Sequence, residues 1–172
     1  MVLIDRLGYR TTQWLVAVFA LLHNLEEAIT MGRYAPLVRH RLSGLAPSGY
    51  PAATEHLSWF FEGLIVATII PMLAVIVAVR NPANRFAAWA VVLVQTVFLM
   101  NVIIPHVPAA LLLGGYAPGV VTAVAIELPF SIYFLRRSLR EGVISRSGAA
   151  WALVLAAPVL ATVLGVFYWS VL

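Results

Sequence analysis

The sequence predicts an all-α fold, a polytopic membrane helix bundle of about five transmembrane helices in one domain spanning residues 1–172. Composition is the first ground: 62% of residues are hydrophobic and 10% are charged, where soluble chains carry about a quarter charged. Mean hydropathy, at +0.95, is the second. The third is a succession of five apolar runs, each meeting or approaching the roughly 20 residues that cross a bilayer.

The runs are 12–31, 57–79, 86–104, 119–135 and 149–172. Arg6 and Arg10 ahead of Trp14 to Leu22 imitate a secretory signal, but no A-x-A-like cleavage site follows and the apolar run continues, so this stretch reads as the first span. Residues 32–54, with Pro36, Pro47 and Pro51, read as a loop in which 37–42 forms a short surface helix. Arg80-Asn81-Pro82 is a tight connection. The third span is expected to stop at Pro105, which lacks a donor and clashes with the preceding turn. Residues 109–113 are too short to cross and read as a re-entrant or interfacial segment before the fourth span. Pro118 suits the first turn of that span, and Arg136, Arg137, Arg140 and Arg146 fill the connection to the last.

All 11 basic residues are arginine, and they sort by side of the membrane. Arg6, Arg10, Arg80, Arg85, Arg136, Arg137, Arg140 and Arg146 fall on one side, against Arg33, Arg39 and Arg41 on the other. This predicts an integral membrane protein with the N-terminus cytoplasmic and the C-terminus outside. The arginines form no continuous basic face, which excludes nucleic acid as a partner and leaves membrane lipid and a lipid-soluble small molecule. With no cysteine, any metal site must draw on imidazole, carboxylate or amide ligands.

The first span holds His23-Asn24-Leu25-Glu26-Glu27. Spacings of three and four put His23, Glu26 and Glu27 on one side of a helix. Charges at this depth cost about 2.5–3.5 kcal/mol each on insertion scales, so they normally face the bundle interior and find partners. At about 1.5 Å per residue, Glu62 on the second span, Asn101 and His106 at the end of the third and Glu127 on the fourth fall in the same slab, roughly 12 Å thick, toward the outer leaflet. One shared cavity is the least costly way to keep them there.

Asn101 and His106 also make an N-x-x-x-x-H pattern, and Gly114 through Pro118 and Gly119 make G-x-x-x-P-G. With His23-Asn24-Leu25-Glu26-Glu27 these motifs, in this order over most of the chain, resemble the signatures of the HXXEE-motif family of small integral membrane proteins. The resemblance implies a membrane protein, of a prokaryotic cytoplasmic membrane since the family is found mainly in prokaryotes, with a common site and no particular reaction. It marks His23, Glu26, Glu27, Asn101, His106, Gly114, Pro118 and Gly119; Glu62 and Glu127 rest on depth alone.

The leading expectation is a metal-dependent membrane enzyme acting on a lipid-soluble substrate. His23, Glu26, Glu27, Glu62, His106 and Glu127 would ligate a divalent zinc, iron or manganese ion, Glu27, Glu62 and Glu127 would serve catalysis, and Asn101 would orient a ligand. A metal-free isomerase or cyclase using buried acids is the alternative, with Trp59, Phe60, Phe61 and Tyr116 available to stabilise a carbocation. A proton-linked carrier or a ligand-binding membrane protein is the non-enzymatic one. Glu55 and His56 lie at the mouth of the second span, and His40 reads as a surface residue. The start of the fourth helix points its N–H groups toward the site, a place for an anionic headgroup.

Overall fold

Apolar runs of this length bury their backbone polar groups within themselves, so helix on helix is the architecture they allow. A computed structural model, which describes residues 6–42 and 57–171, shows five helical rods and, among the described residues, no strand. They are α1 (Tyr9–Leu42), α2 (Leu57–Arg80), α3 (Arg85–Leu112), α4 (residues 120–140) and α5 (Arg146–Val171). Four of them, α1, α2, α3 and α5, are long and apolar enough to cross a membrane. The remaining rod, α4, carries Glu127 and ends in Arg136, Arg137 and Arg140.

Two boundaries differ from expectation. α1 runs on through Pro36 to Leu42, so 32–42 is helix and the short surface helix expected at 37–42 is its last turns. One proline removes a single donor from the ladder, and Leu37, Arg39, Arg41 and Leu42 are strong helix formers that carry it onward. α3 likewise passes Pro105 and reaches Leu112, so the piece expected as separate continues it. The break is absorbed by a π-turn, Val102–His106, in which Val107 N–H bonds the carbonyl of Val102 five residues back. Pro47, Pro51, Glu55 and His56 lie outside the described residues.

The Arg-rich end holds the main core. Val16 and Ala17 of α1, Val75 of α2, Val91 and Val92 of α3, Phe130 and Phe134 of α4 and Ala152 of α5 are all buried there. Asn84 starts α3 by accepting from the N–H groups of Phe86 (3.0 Å) and Ala87 (3.1 Å). Trp89 ties α3 to α5 through the Gly148 carbonyl (2.9 Å). Arg137 fastens α4 to the start of α1, donating to the Leu7 carbonyl (2.8 Å), to Thr12 (2.9 Å) and to Tyr133 (3.0 Å), with Glu141 closing the set at 2.5 Å. Beyond the middle of the bundle, Asn24 of α1 donates to Thr68 of α2 (2.8 Å), and Met31, Ala35, Phe60 and Leu64 make a smaller apolar cluster. Between these two apolar regions lies the polar layer.

Candidate metal centre

Three helices build the layer. From α1 come His23 and Glu27, one turn apart. α3 supplies Asn101 and His106, whose spacing of five would set them about 140° apart on a regular α-helix. The π-turn removes that offset, and the Asn101 amide Nδ2 lies 3.0 Å from His106 Nε2. The third wall is the start of α4, where Gly119 at φ +80° turns the chain into the helix. That left-handed conformation suits glycine, and contact demands it as well. A β-carbon there would stand 2.7 Å from Glu27 Cγ, 2.8 Å from His106 Cε1 and 2.9 Å from His23 Cε1.

The hydrogen bonds assign the imidazole protons. A carbonyl only accepts, so His106 donates its Nδ1–H to Pro118 O (3.0 Å). Thr122 gives its hydroxyl proton to Glu26 Oε2 (2.5 Å) and accepts from His23 Nδ1–H at 3.1 Å. Both Nε2 atoms therefore carry lone pairs that face inward, where the Asn101 amide donates to them. They converge on Glu27 Oε1, at 3.5 Å from His106 and 3.9 Å from His23. Ligand atoms of these three residues all lie within 4.8 Å of one another. A tetrahedral ion bound at about 2.1 Å would hold its ligands about 3.4 Å apart, so small side-chain rotations close the set. The two rings meet edge to face, with centroids 4.6 Å apart. Asn101 lies across both, its Nδ2 also reaching His23 Nε2 at 3.4 Å.

Other expected ligands are held elsewhere. Glu26 accepts from four donors: the Tyr116 hydroxyl (2.9 Å), Val121 N–H (3.2 Å), and the N–H (2.7 Å) and hydroxyl (2.5 Å) of Thr122. It is thus the anion at the N-terminus of α4, in the place expected for an anionic headgroup. Glu62 is exposed. Depth does not set direction: Phe60 and Leu64 are the buried positions, and a residue midway between them points to the opposite side of α2. Glu127 is buried at 1% exposure, but it belongs to a separate group with Gln95 and Ser131. Phe60 packs between Phe61 and Phe167, while Tyr116 lies against Tyr34. Thr122 was missed. Its signal was a hydroxyl in the first turn of a helix whose N-terminus faces a glutamate.

The fold and the layer define a helical protein with membrane-length apolar helices and a His/Glu cluster able to hold a metal ion. Residues 14–134 match the model of the family described as protein of unknown function with HXXEE motif, and the chain belongs to that family. No curated protein and no solved structure matches it significantly.

Proposed function

We propose that the protein is a metal-dependent membrane enzyme in which His23, His106 and Glu27 bind a divalent ion and the substrate is lipid-soluble. The supporting observation is the direction of the two imidazoles: each Nδ1–H is committed to an oxygen acceptor, so both Nε2 lone pairs face inward, toward one carboxylate oxygen and the Asn101 amide that an ion would displace. Outer hydrogen bonds that fix tautomer and ring orientation are the usual accompaniment of ligating histidines. Two imidazoles and one carboxylate leave coordination positions open, the pattern of catalytic zinc and of non-haem iron sites. Such an ion would supply Lewis acidity or an activated water. Glu27, whose side chain is 13% exposed, keeps the cluster reachable.

A lipid-soluble substrate fits the surroundings of the ligands. Ile103 and Ile104 on α3 and Val121 and Val124 on α4 expose apolar side chains on the helix segments that carry the cluster. The arginine distribution supports insertion with the N-terminus in the cytoplasm, which puts the cluster nearer the opposite leaflet.

Metal analysis of detergent-purified protein tests this reading. About one zinc, iron or manganese per chain is expected in wild type, lost in His23→Ala and in His106→Ala. Wild-type protein that neither retains nor rebinds any of these ions would overturn it.

A further inference from the structure

Toward the Arg-rich end from the His/Glu cluster lies a second polar group, made by Gln95 of α3 with Glu127 and Ser131 of α4. All three side chains are at most 1% exposed. Gln95 Nε2 donates to Glu127 Oε2 at 3.0 Å and to Ser131 Oγ at 2.6 Å. The remaining oxygen of each, Gln95 Oε1 and Glu127 Oε1, has no hydrogen-bond partner. Two orphaned acceptors flanking one hydrogen bond make an environment that lacks a proton donor. An ionised carboxylate there would rest on a single neutral amide, inside a stretch where charge without a counter-ion is costly.

No arginine or histidine answers that charge. The titratable groups on the elements of the bundle include Arg10, His23, Glu26, Glu27, Arg33, His40 and Arg41 of α1, Glu62 and Arg80 of α2, Arg85 and His106 of α3, Arg146 of α5, and Tyr133, Arg136, Arg137 and Arg140 of α4 itself. None is within hydrogen-bond reach of Glu127, and no ion pair among the described residues includes it.

We infer that Glu127 is a proton-binding site, carrying its proton on Oε1 and exchanging it with the layer above. With the proton there, Glu127 Oε1–H is a donor, Gln95 Oε1 is an acceptor, and one water between them satisfies both. The accounting then closes without any buried charge. Release hands the proton on through that water to solvent and leaves a carboxylate held by Gln95 Nε2–H; uptake reverses the step. Position gives the proton a use. Glu127 is five residues beyond Thr122, at the far end of a second π-turn, Ala123–Glu127, and Thr122 holds His23 Nδ1–H and Glu26. A proton store next to the cluster suits a reaction that adds a proton to, or removes one from, an apolar substrate. Its use at a metal rests on the function proposed above; its existence does not.

Infrared spectroscopy on metal-free protein in lipid nanodiscs therefore tests the two readings separately. At neutral pH wild type is expected to show the carbonyl stretch of a protonated carboxylic acid, which moves on transfer to heavy water as the proton exchanges. Glu127→Gln, which keeps the shape and the bond from Gln95, removes this band without changing the melting temperature. Glu26→Gln retains it, and Gln95→Met shifts it to higher frequency because the carbonyl loses its donor. A spectrum with no Glu127-dependent acid band would overturn the inference. So would a band unmoved after prolonged exposure to heavy water, since that proton would be fixed structure.

Discussion

The α-carbon of Gly119 lies directly behind the imidazole of His106, so close that a β-carbon would come within 2.8 Å of Cε1. The last residues of two motifs, thirteen positions apart, are therefore the two sides of one contact. Pro118, just before the glycine, supplies the carbonyl that takes His106 Nδ1–H. Gly119 itself, at φ +80°, brings the start of α4 against Glu27 and His23.

Gly119→Ala should push the three ligands apart as well as strain the turn, the strain alone costing about 1–2 kcal/mol. Gly114→Ala is the control, since Gly114 has φ +84° but nothing within 4 Å of a β-carbon. Both variants should lose stability, and only Gly119→Ala should lose metal stoichiometry. Equal metal content in the two would separate the glycine from the site.

Asn101 donates to both Nε2 lone pairs, so its amide occupies the space an ion would need. Rotating the amide turns Oδ1 toward that space, converting a competitor into an oxygen donor. Asn101→Leu should then weaken metal binding by roughly 10–100-fold, and Asn101→Asp should tighten it. Competition titrations with a zinc chelator measure both. Tighter binding in Asn101→Leu would mean that the amide only competes.

Much of this could be read from the chain because membrane helices leave few options for polar side chains. The spacing of His23 and Glu27 placed them on one side of α1, and burial cost pointed that side inward. Depth brought in Asn101 and His106 correctly, although their meeting depended on a π-turn that a spacing of five does not announce. Depth misled for Glu62, whose height in the layer says nothing of its direction around α2. Glu26 illustrates a different limit. Its neighbour in sequence faces the imidazoles, yet Glu26 turns to the N–H groups of Val121 and Thr122, a partner visible only once α4 is placed.

Arg137 is 6% exposed, and its donors reach Leu7, Thr12 and Tyr133 on two elements. Arg137→Ala would leave these acceptors unsatisfied, costing about 2–3 kcal/mol. Arg137→Lys should recover little, because an ammonium cannot reproduce the planar fork. Thermal unfolding in detergent should show both variants destabilised with metal stoichiometry intact in the folded fraction. Loss of metal at temperatures where the helices persist would instead couple this end of the bundle to the cluster.

Glu27→Gln and Glu62→Gln separate direction from depth. Both replace a carboxylate by a neutral amide of similar size, and both residues sit in the same slab by distance along their helices. Only Glu27 faces the two Nε2 atoms, at 3.5 and 3.9 Å, so only its charge is available to a bound cation. Glu27→Gln should lower metal affinity at least tenfold and leave two imidazoles that also release metal more readily as pH falls, because protons compete for the same lone pairs. Glu62→Gln should match wild type in affinity and in pH dependence. If removing the exposed carboxylate on α2 abolished binding while the buried-layer variant retained it, the ligands would have to be sought on the outer face of the bundle.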